Sequence, residues 1–286
     1  MGVCRVCATP LSTQGQSAFR LASWRGPRQW MRCGACGSYF DTIPYNPTEE
    51  ASHHLQSRTG YRPSGLALNE YKSQMFRSVL RLLSKYIQGE PVLLDVGCSY
   101  GGFLQQAKQH GYRVIGMDIV IPVVEQMRAD GFVCHVAASV DELRIANGSL
   151  DVVSVLDCNY YWPNQIPELR AIRRKLRPGG LLVMRVVDKS WMLSCGLAVK
   201  RWLPRLGDWL SRRAVNDHRV SIPVRSLLRI VRSEGFEILY ASPRGALHSR
   251  QSSAAVRLMF VCGYLWWRAT GRYLAPGCLI LGRKTL

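Results

Sequence analysis

The chain has 286 residues, 47% of them hydrophobic, ten cysteines and a formal net charge of +19. That length holds one large domain with an appendage, or two modest ones, and the apolar fraction excludes general disorder. The N-terminus, MGVCRVCATP, lacks the apolar stretch of a secretory leader, and the longest apolar run, Leu258–Trp267, is about half of the ~20 residues that span a bilayer.

The expected location is therefore cytoplasmic, with reduced thiols. The charge is uneven: residues 1–150 hold 15 Lys/Arg against 11 Asp/Glu, and residues 151–286 hold 23 against 8. A half that basic suits an anionic neighbour, whether nucleic acid, a phospholipid surface or a phosphorylated substrate. An arginine-rich proteome gives the same composition with no such partner.

Two Cys-x2-Cys turns stand first, Cys4 with Cys7 and Cys33 with Cys36, 25 residues apart. Each turn places two sulfurs close enough to share one Zn²⁺, and two turns complete a closed tetrahedral set, which is structural chemistry rather than catalytic. Gly34 and Gly37 relax the second turn; the first has Ala8 where a glycine would match. Between the pairs, FRLASWRG and RQWMRC read as short strands, giving a zinc ribbon over residues 1–40. Residues 41–69 read as a linker, with His53 and His54 solvated in it. From Glu70 to Tyr86, apolar residues at Met75, Val79, Leu80, Leu82 and Leu83 predict an amphipathic helix.

The segment PVLLDVGCSYGGFLQQAKQHGYRVIGMDIV predicts a strand (Val92–Val96), a glycine turn, a helix (Phe103–His110) and a second strand ending at Asp118. Its turn has no lysine for a P-loop. Ser99 occupies the glycine position that a pyrophosphate would approach in a dinucleotide fold. A ligand with a ribose but no phosphate needs carboxylates instead: Asp95 at the strand's mouth, and Asp118 for the ribose hydroxyls.

These residues, with GSLDVVSVLDC, LRAIRRKLRPGGLLVMRV, the late HRVSIPVRSLLRIVRSEGFEILYA and CLILGRK, resemble the class I S-adenosylmethionine-dependent methyltransferases over residues 70–286. With the Cys4-type ribbon in front, the chain is similar to a bacterial subgroup that includes sugar C-methyltransferases. The resemblance implies an α/β fold, a Rossmann-like seven-stranded sheet with helices on both faces. It implies S-adenosylmethionine as cofactor, held by Asp95, Gly97, Cys98, Ser99 and Gly101 at the methionine end. Asp118 would take the ribose, Ile119, Ala138 and Ser139 the adenine, and Asp157 with Cys158 would flank the transferred methyl. Candidate bases for an acceptor proton are Tyr160, Tyr161, Asp188 and His218. Many subgroup members carry Glu-His where this chain has Tyr160 and Tyr161.

Two insertions bear on the acceptor. Residues 189–217 mix Trp191, Trp202 and Trp209 with basic residues, and Pro204 is expected to split them into two helices. Residues 246–274 place Arg250, Arg257, Arg268 and Arg272 along one side of a helix with an apolar body, which suits a phospholipid interface at the inner face of the membrane. An ordinary packed helix with a solvated arginine edge fits equally well. The expected function is methyl transfer to a small-molecule, glycan or lipid-linked acceptor of a bacterial biosynthetic pathway. The alternatives are an rRNA or tRNA methyltransferase, so that nucleic acid is the partner, and a non-catalytic binding module on a degenerate methyltransferase fold.

Overall fold

The computed structural model describes residues 2–11, 17–23, 26–56, 70–215, 218–243, 254–270, 274 and 277–286. Strands β1 (Ser17–Ser23) and β2 (Gly26–Arg32) form an antiparallel hairpin, and β3 (Tyr39–Asp41) pairs with β2.

The segment expected as linker carries a helix, α1 (Pro47–Gln56). Its start signals are strong. Asn46 Oδ1 accepts from the backbone N–H of Thr48 at 3.1 Å, Pro47 opens the first turn, and Glu49 and Glu50 sit at its positive end. His54 is not solvated but buried. Residues 57–69 lie outside the described residues. Helix α2 (Glu70–Leu83) turns Met75, Val79, Leu80 and Leu83 inward, as their spacing predicts.

An alternating series follows: β4 (Val92–Val96), α3 (Gly102–Gln109), β5 (Arg113–Asp118), α4 (Ile121–Ala129), β6 (Val133–Val136), β7 (Leu150–Leu156), α5 (Gln165–Lys175) and β8 (Leu176–Val186). After it come α6 (Ser190–Val199), α7 (Pro204–Val215), β9 (Val220–Ser221), α8 (Val224–Ser233), β10 (Phe236–Ser242), α9 (Ala254–Thr270) and β11 (Cys278–Lys284). The seven-stranded sheet runs β10-β11-β8-β7-β4-β5-β6. Its β8, β7, β4, β5 and β6 are mutually parallel, while β11 is antiparallel to both β8 and β10.

Successive strand residues face opposite sides. Leu94, Val96, Val153 and Val155 pack with Leu169 and Ile172 of α5 and Leu227 and Val231 of α8. Leu93, Val152, Leu181 and Val183 pack on the other side, with Leu80 and Leu83 of α2, Leu104 of α3 and Val124 of α4. Each fully buried Leu or Val contributes about 1.5–3 kcal/mol.

The short β9 does not join this sheet. It pairs antiparallel with β3 (Tyr39↔Ser221, Phe40↔Val220), so the N-terminal sheet runs β1-β2-β3-β9 and takes its last strand from beyond the large sheet's β8. The first insertion folds as expected, into two helices divided before Pro204. In the second, α9 lies within the expected range; Arg250 and Arg272 fall outside the described residues. Among the described residues no helix is long and apolar enough to cross a membrane.

Candidate active site

The chain leaves β4 for β5 on one side of the sheet and returns to β7 on the other. Val96 is registered against both Met117 and Val155. The crevice outside the carboxyl ends of strands at such a reversal is where open α/β sheets take ligands. The loop after β4 occupies it.

Gly97 has φ 73°, and a side chain there would meet Cys158 Cβ at 2.9 Å, so only glycine lets the loop pass β7 with bare backbone exposed. The N–H groups of Gly97 and Cys98 both donate to Met117 O, at 2.9 and 3.0 Å, and the Gly101 N–H closes the turn on Cys98 O at 3.0 Å. Ser99, in the expected middle-glycine position, still takes the left-handed conformation, φ 49°. Its N–H donates to Asp118 Oδ2 at 3.0 Å, and Val120 N–H donates to Asp118 Oδ1 at 3.0 Å. Both oxygens of the Asp118 carboxylate thus brace the loop and the start of α4. Bare backbone, a carboxylate at the end of β5 and no cation in the turn fit a ribose-bearing, phosphate-free cofactor.

A family model described as a methyltransferase domain matches residues 68–241, more than half of the chain. The chain belongs to this methyltransferase family. In sequence it is 30% identical over 123 residues to carboxy-S-adenosyl-L-methionine synthase of Aeromonas hydrophila, covering 39% of this chain and 49% of that protein. The chain thus spans about half the length of the curated relatives it matches. In fold it is similar to the N-methyltransferase NodS of Bradyrhizobium japonicum, solved with S-adenosyl-L-homocysteine, at 15% identity and a TM-score of 0.51, covering 84% of this chain and 99% of that one. It is also similar to an S-adenosylmethionine-dependent methyltransferase of Methanosarcina mazei, at 18% identity and a TM-score of 0.50, covering 72% and 97%. At these identities the likeness is one of fold.

Several expected residues of the methyltransferase sit elsewhere than foreseen. Asp95 is not at the strand's mouth. It is shut inside β4, accepts from Ser154 Oγ at 2.7 Å, and burial pushes it up to about 7, with the Asp118 charge adding to the rise. Cys98 turns its sulfur into the core, 3.5 Å from that of Cys134, so only its backbone faces the crevice. Asp188 is no base at the mouth. It is buried and accepts from Ser190 N–H at 3.0 Å, Ser190 Oγ at 2.6 Å and Val224 N–H at 2.8 Å, which ties the starts of α6 and α8 together. Asp157, in the left-handed region at φ 61°, is paired with Arg185 of β8. The sulfur of Cys158 contacts Val96 O at 3.0 Å. Ile119 is half-buried behind Asp118. Ala138 and Ser139 follow β6; Ala138 N–H donates to Glu142, and Ser139 Oγ accepts from Asp141 N–H at 3.2 Å.

Beyond Cys158 the chain makes one short helical turn, Asn159–Tyr161, that carries two aromatic rings. The Tyr160 ring stacks on His218 at 3.7 Å, and its backbone O accepts from Arg219 N–H at 3.1 Å. Tyr161 lies 4.7 Å from Tyr160 and meets His54 of α1 edge-on at 4.3 Å. The structure therefore gathers the expected Tyr160, Tyr161 and His218, and adds His54.

Behind the rings lies a buried charge network. The Arg219 guanidinium donates to Glu50 at 2.9 Å and to Asp41 at 3.0 Å, and Asp41 also accepts from Arg5 at 2.9 Å and Arg28 at 2.8 Å. His54 Nε2 stands 4.0 Å from Glu50. The sequence signal for His54 was its helix start, Asn46-Pro47-Thr48-Glu49-Glu50, which puts Glu50 and His54 one turn apart on one face.

The four sulfurs of Cys4, Cys7, Cys33 and Cys36 lie within 4.8 Å of one another, beside the start of α8, where Ser226 Oγ donates to Cys36 O at 2.6 Å. Cys4 to Cys36 and Cys7 to Cys33 are each 3.8 Å. Ala8 fills the glycine role of its turn at φ 56°, as Gly37 does at φ 70°.

Proposed function

We propose that the enzyme transfers the methyl group of S-adenosylmethionine to a small-molecule, glycan or lipid-linked acceptor of a biosynthetic pathway, seated between the loop after β4 and the rings of Tyr160, Tyr161 and His218. The observation that carries this is the ring enclosure. Four rings from α1, the turn after β7 and the segment before β9 pack on one another directly beyond Cys158, making a narrow aromatic wall suited to a small acceptor.

When bound, S-adenosylmethionine supplies a methyl carbon already activated by its sulfonium. In this reading Gly97, Ser99 and Gly101 present backbone to its amino-acid end. Asp118 takes the ribose hydroxyls, and Ile119, Ala138 and Ser139 border the adenine. Much of the rate comes from alignment along the displacement axis. An acceptor hydroxyl or carbon acid must also lose a proton, and His218 and Tyr160, stacked on each other, hold the position for it. Membership of the sugar C-methyltransferase subgroup belongs to the same proposal; the Tyr160–Tyr161 pair in place of Glu-His gives this enzyme its own acceptor chemistry.

The four cysteines are proposed to hold one structural Zn²⁺. Thiolates about 2.3 Å from a tetrahedral centre stand about 3.8 Å apart, which supports the assignment. A closed set leaves no position for substrate, so the metal would fix the base of the N-terminal sheet.

Methylation of RNA is the second reading, favoured by the net charge of +19. The deciding experiment incubates the zinc-loaded protein and methyl-labelled S-adenosylmethionine with the small-molecule, lipid-extractable and RNA fractions of its source cells. Label in either of the first two supports the proposal; label confined to RNA replaces it.

A further inference from the structure

We propose that the α6–α7 hairpin docks the enzyme on an anionic phospholipid surface, with its turn as the inserting element. Trp202, in that turn, is 80% exposed, and Leu203 beside it 57%. Leu206 and Trp209, the next residues along the outer side of α7, are 45% and 52% exposed. Four large apolar side chains held in water at one end of a helical pair mark an interaction surface.

The hairpin cannot turn this face inward. Its inner face is α7's Gly207, Ser211, Ala214 and Val215, spaced at i, i+4, i+7 and i+8 and all buried. There the two helices touch almost backbone to backbone: a side chain added at Gly207 would meet Lys200 Cα at 2.4 Å, and one at Gly196 would meet Ser211 Oγ at 2.5 Å. Ala214 and Val215 then pack with Leu193 on Leu21, Trp30 and Tyr39 of the N-terminal sheet. The outer face is left unpartnered by a rigid construction.

Charge selects the occupant. Between positions 200 and 213 the chain has five cations and one carboxylate, Asp208, which is already paired with Lys200 at 2.7 Å. Arg205, Trp209 and Arg212 share one side of the helix at i, i+4 and i+7. Arg201 lies over the Trp202 ring at 5.9 Å and Arg213 over that of Trp209 at 5.1 Å. Indoles and leucines at the level of the acyl boundary, with arginines reaching back to the phosphates, are what an interfacial helix presents. A protein partner has no use for so many cations, and RNA phosphates have none for Leu203 and Leu206. The same chemistry recurs on α9, whose Leu258, Val261 and Leu265 are 62%, 49% and 59% exposed at helical spacing, with Arg268 exposed beyond them. The docking concerns a surface, and it holds for any acceptor.

The test is co-sedimentation of the full-length, zinc-loaded protein with vesicles of phosphatidylcholine alone and of phosphatidylcholine mixed with phosphatidylglycerol, with tryptophan emission followed in parallel. The protein pellets with the anionic vesicles only, its emission shifts to the blue, and salt weakens the binding. Trp202→Ser combined with Leu203→Ser, and separately Arg205→Glu combined with Arg212→Glu, each lower the bound fraction's affinity by roughly tenfold or more. Calorimetry with S-adenosylhomocysteine confirms that both variants remain folded. Equal pelleting of wild type and variants overturns the proposal. So does failure of the wild type to pellet, and so does a hairpin that ignores vesicles but loses tRNA retention on charge reversal, which would make it an RNA surface.

Discussion

The backbone N–H of Ser99 donates to Oδ2 of Asp118 at 3.0 Å, so the residue that departs most from the expected loop pattern is fastened by the residue expected to take the ribose. One carboxylate sets the shape of the loop and, in the proposed reading, the seat of the cofactor's ribose.

Asp118→Ala is therefore expected to lose more than a ribose contact. The N–H groups of Ser99 and Val120 lose their acceptor, and each buried orphan costs about 1–3 kcal/mol. Affinity for S-adenosylhomocysteine should fall at least tenfold by titration calorimetry. An affinity close to wild type would place the ribose elsewhere.

Ser99→Gly tests the other partner. A non-glycine residue at φ 49° carries roughly 1–2 kcal/mol of strain, partly offset by the flexibility glycine adds to the unfolded chain. The variant should gain about 0.5–1 kcal/mol in urea unfolding and keep its cofactor affinity.

Arg219→Met should be far more costly. Arg5 and Arg28 still face Asp41, but the buried Glu50 loses the guanidinium that bonds it at 2.9 Å. Breaking such a pair from one side costs about 3–5 kcal/mol, and adding Glu50→Gln should recover much of it. A loss below about 1 kcal/mol would mean that water reaches the network.

Asp95 sets a pH dependence. Its proton is held more tightly in the folded chain, up to about 7, than in the unfolded one. Stability therefore falls as pH climbs from the ordinary carboxylate range towards 7 and is level above it, with a slope of up to about 1.4 kcal/mol per pH unit. Asp95→Asn keeps an acceptor for Ser154 and should flatten the profile, leaving the variant the more stable protein near pH 8. Urea midpoints across about pH 5.5 to 8 show this directly.

Removal of the proposed zinc is the remaining expectation. Elemental analysis should find one Zn²⁺ per chain, and a chelator or Cys33→Ser should lower the melting temperature by roughly 5–10 °C. An unchanged melting curve after complete removal would leave the cysteines without that role.

Much of the large sheet was legible because its signals are local. The β4–loop–β5 unit is an apolar run, a glycine turn and a second run; β11 falls on CLILGRK itself. What escaped notice depends on distance in sequence. Strand periodicity does not say whether Asp95 faces crevice or core; Ser154, on the neighbouring strand, decides that. Helix α1 has no apolar stripe to betray it, since its buried positions are Glu50 and His54, and Glu50's partner Arg219 is 169 residues away. Tyr160, Tyr161 and His218 were found one by one, but their stacking required β9 to reach back to β3.

That reach has a consequence for how the chain is made. The hairpin of β1 and β2 leaves the ribosome long before β9, yet the edge of β3 must wait for Val220 and Ser221. At about 5–20 residues per second, synthesis keeps that edge open for on the order of ten seconds or more. The opening segment thus stays incomplete until those residues emerge, and the aromatic wall cannot close before His218 joins Tyr160.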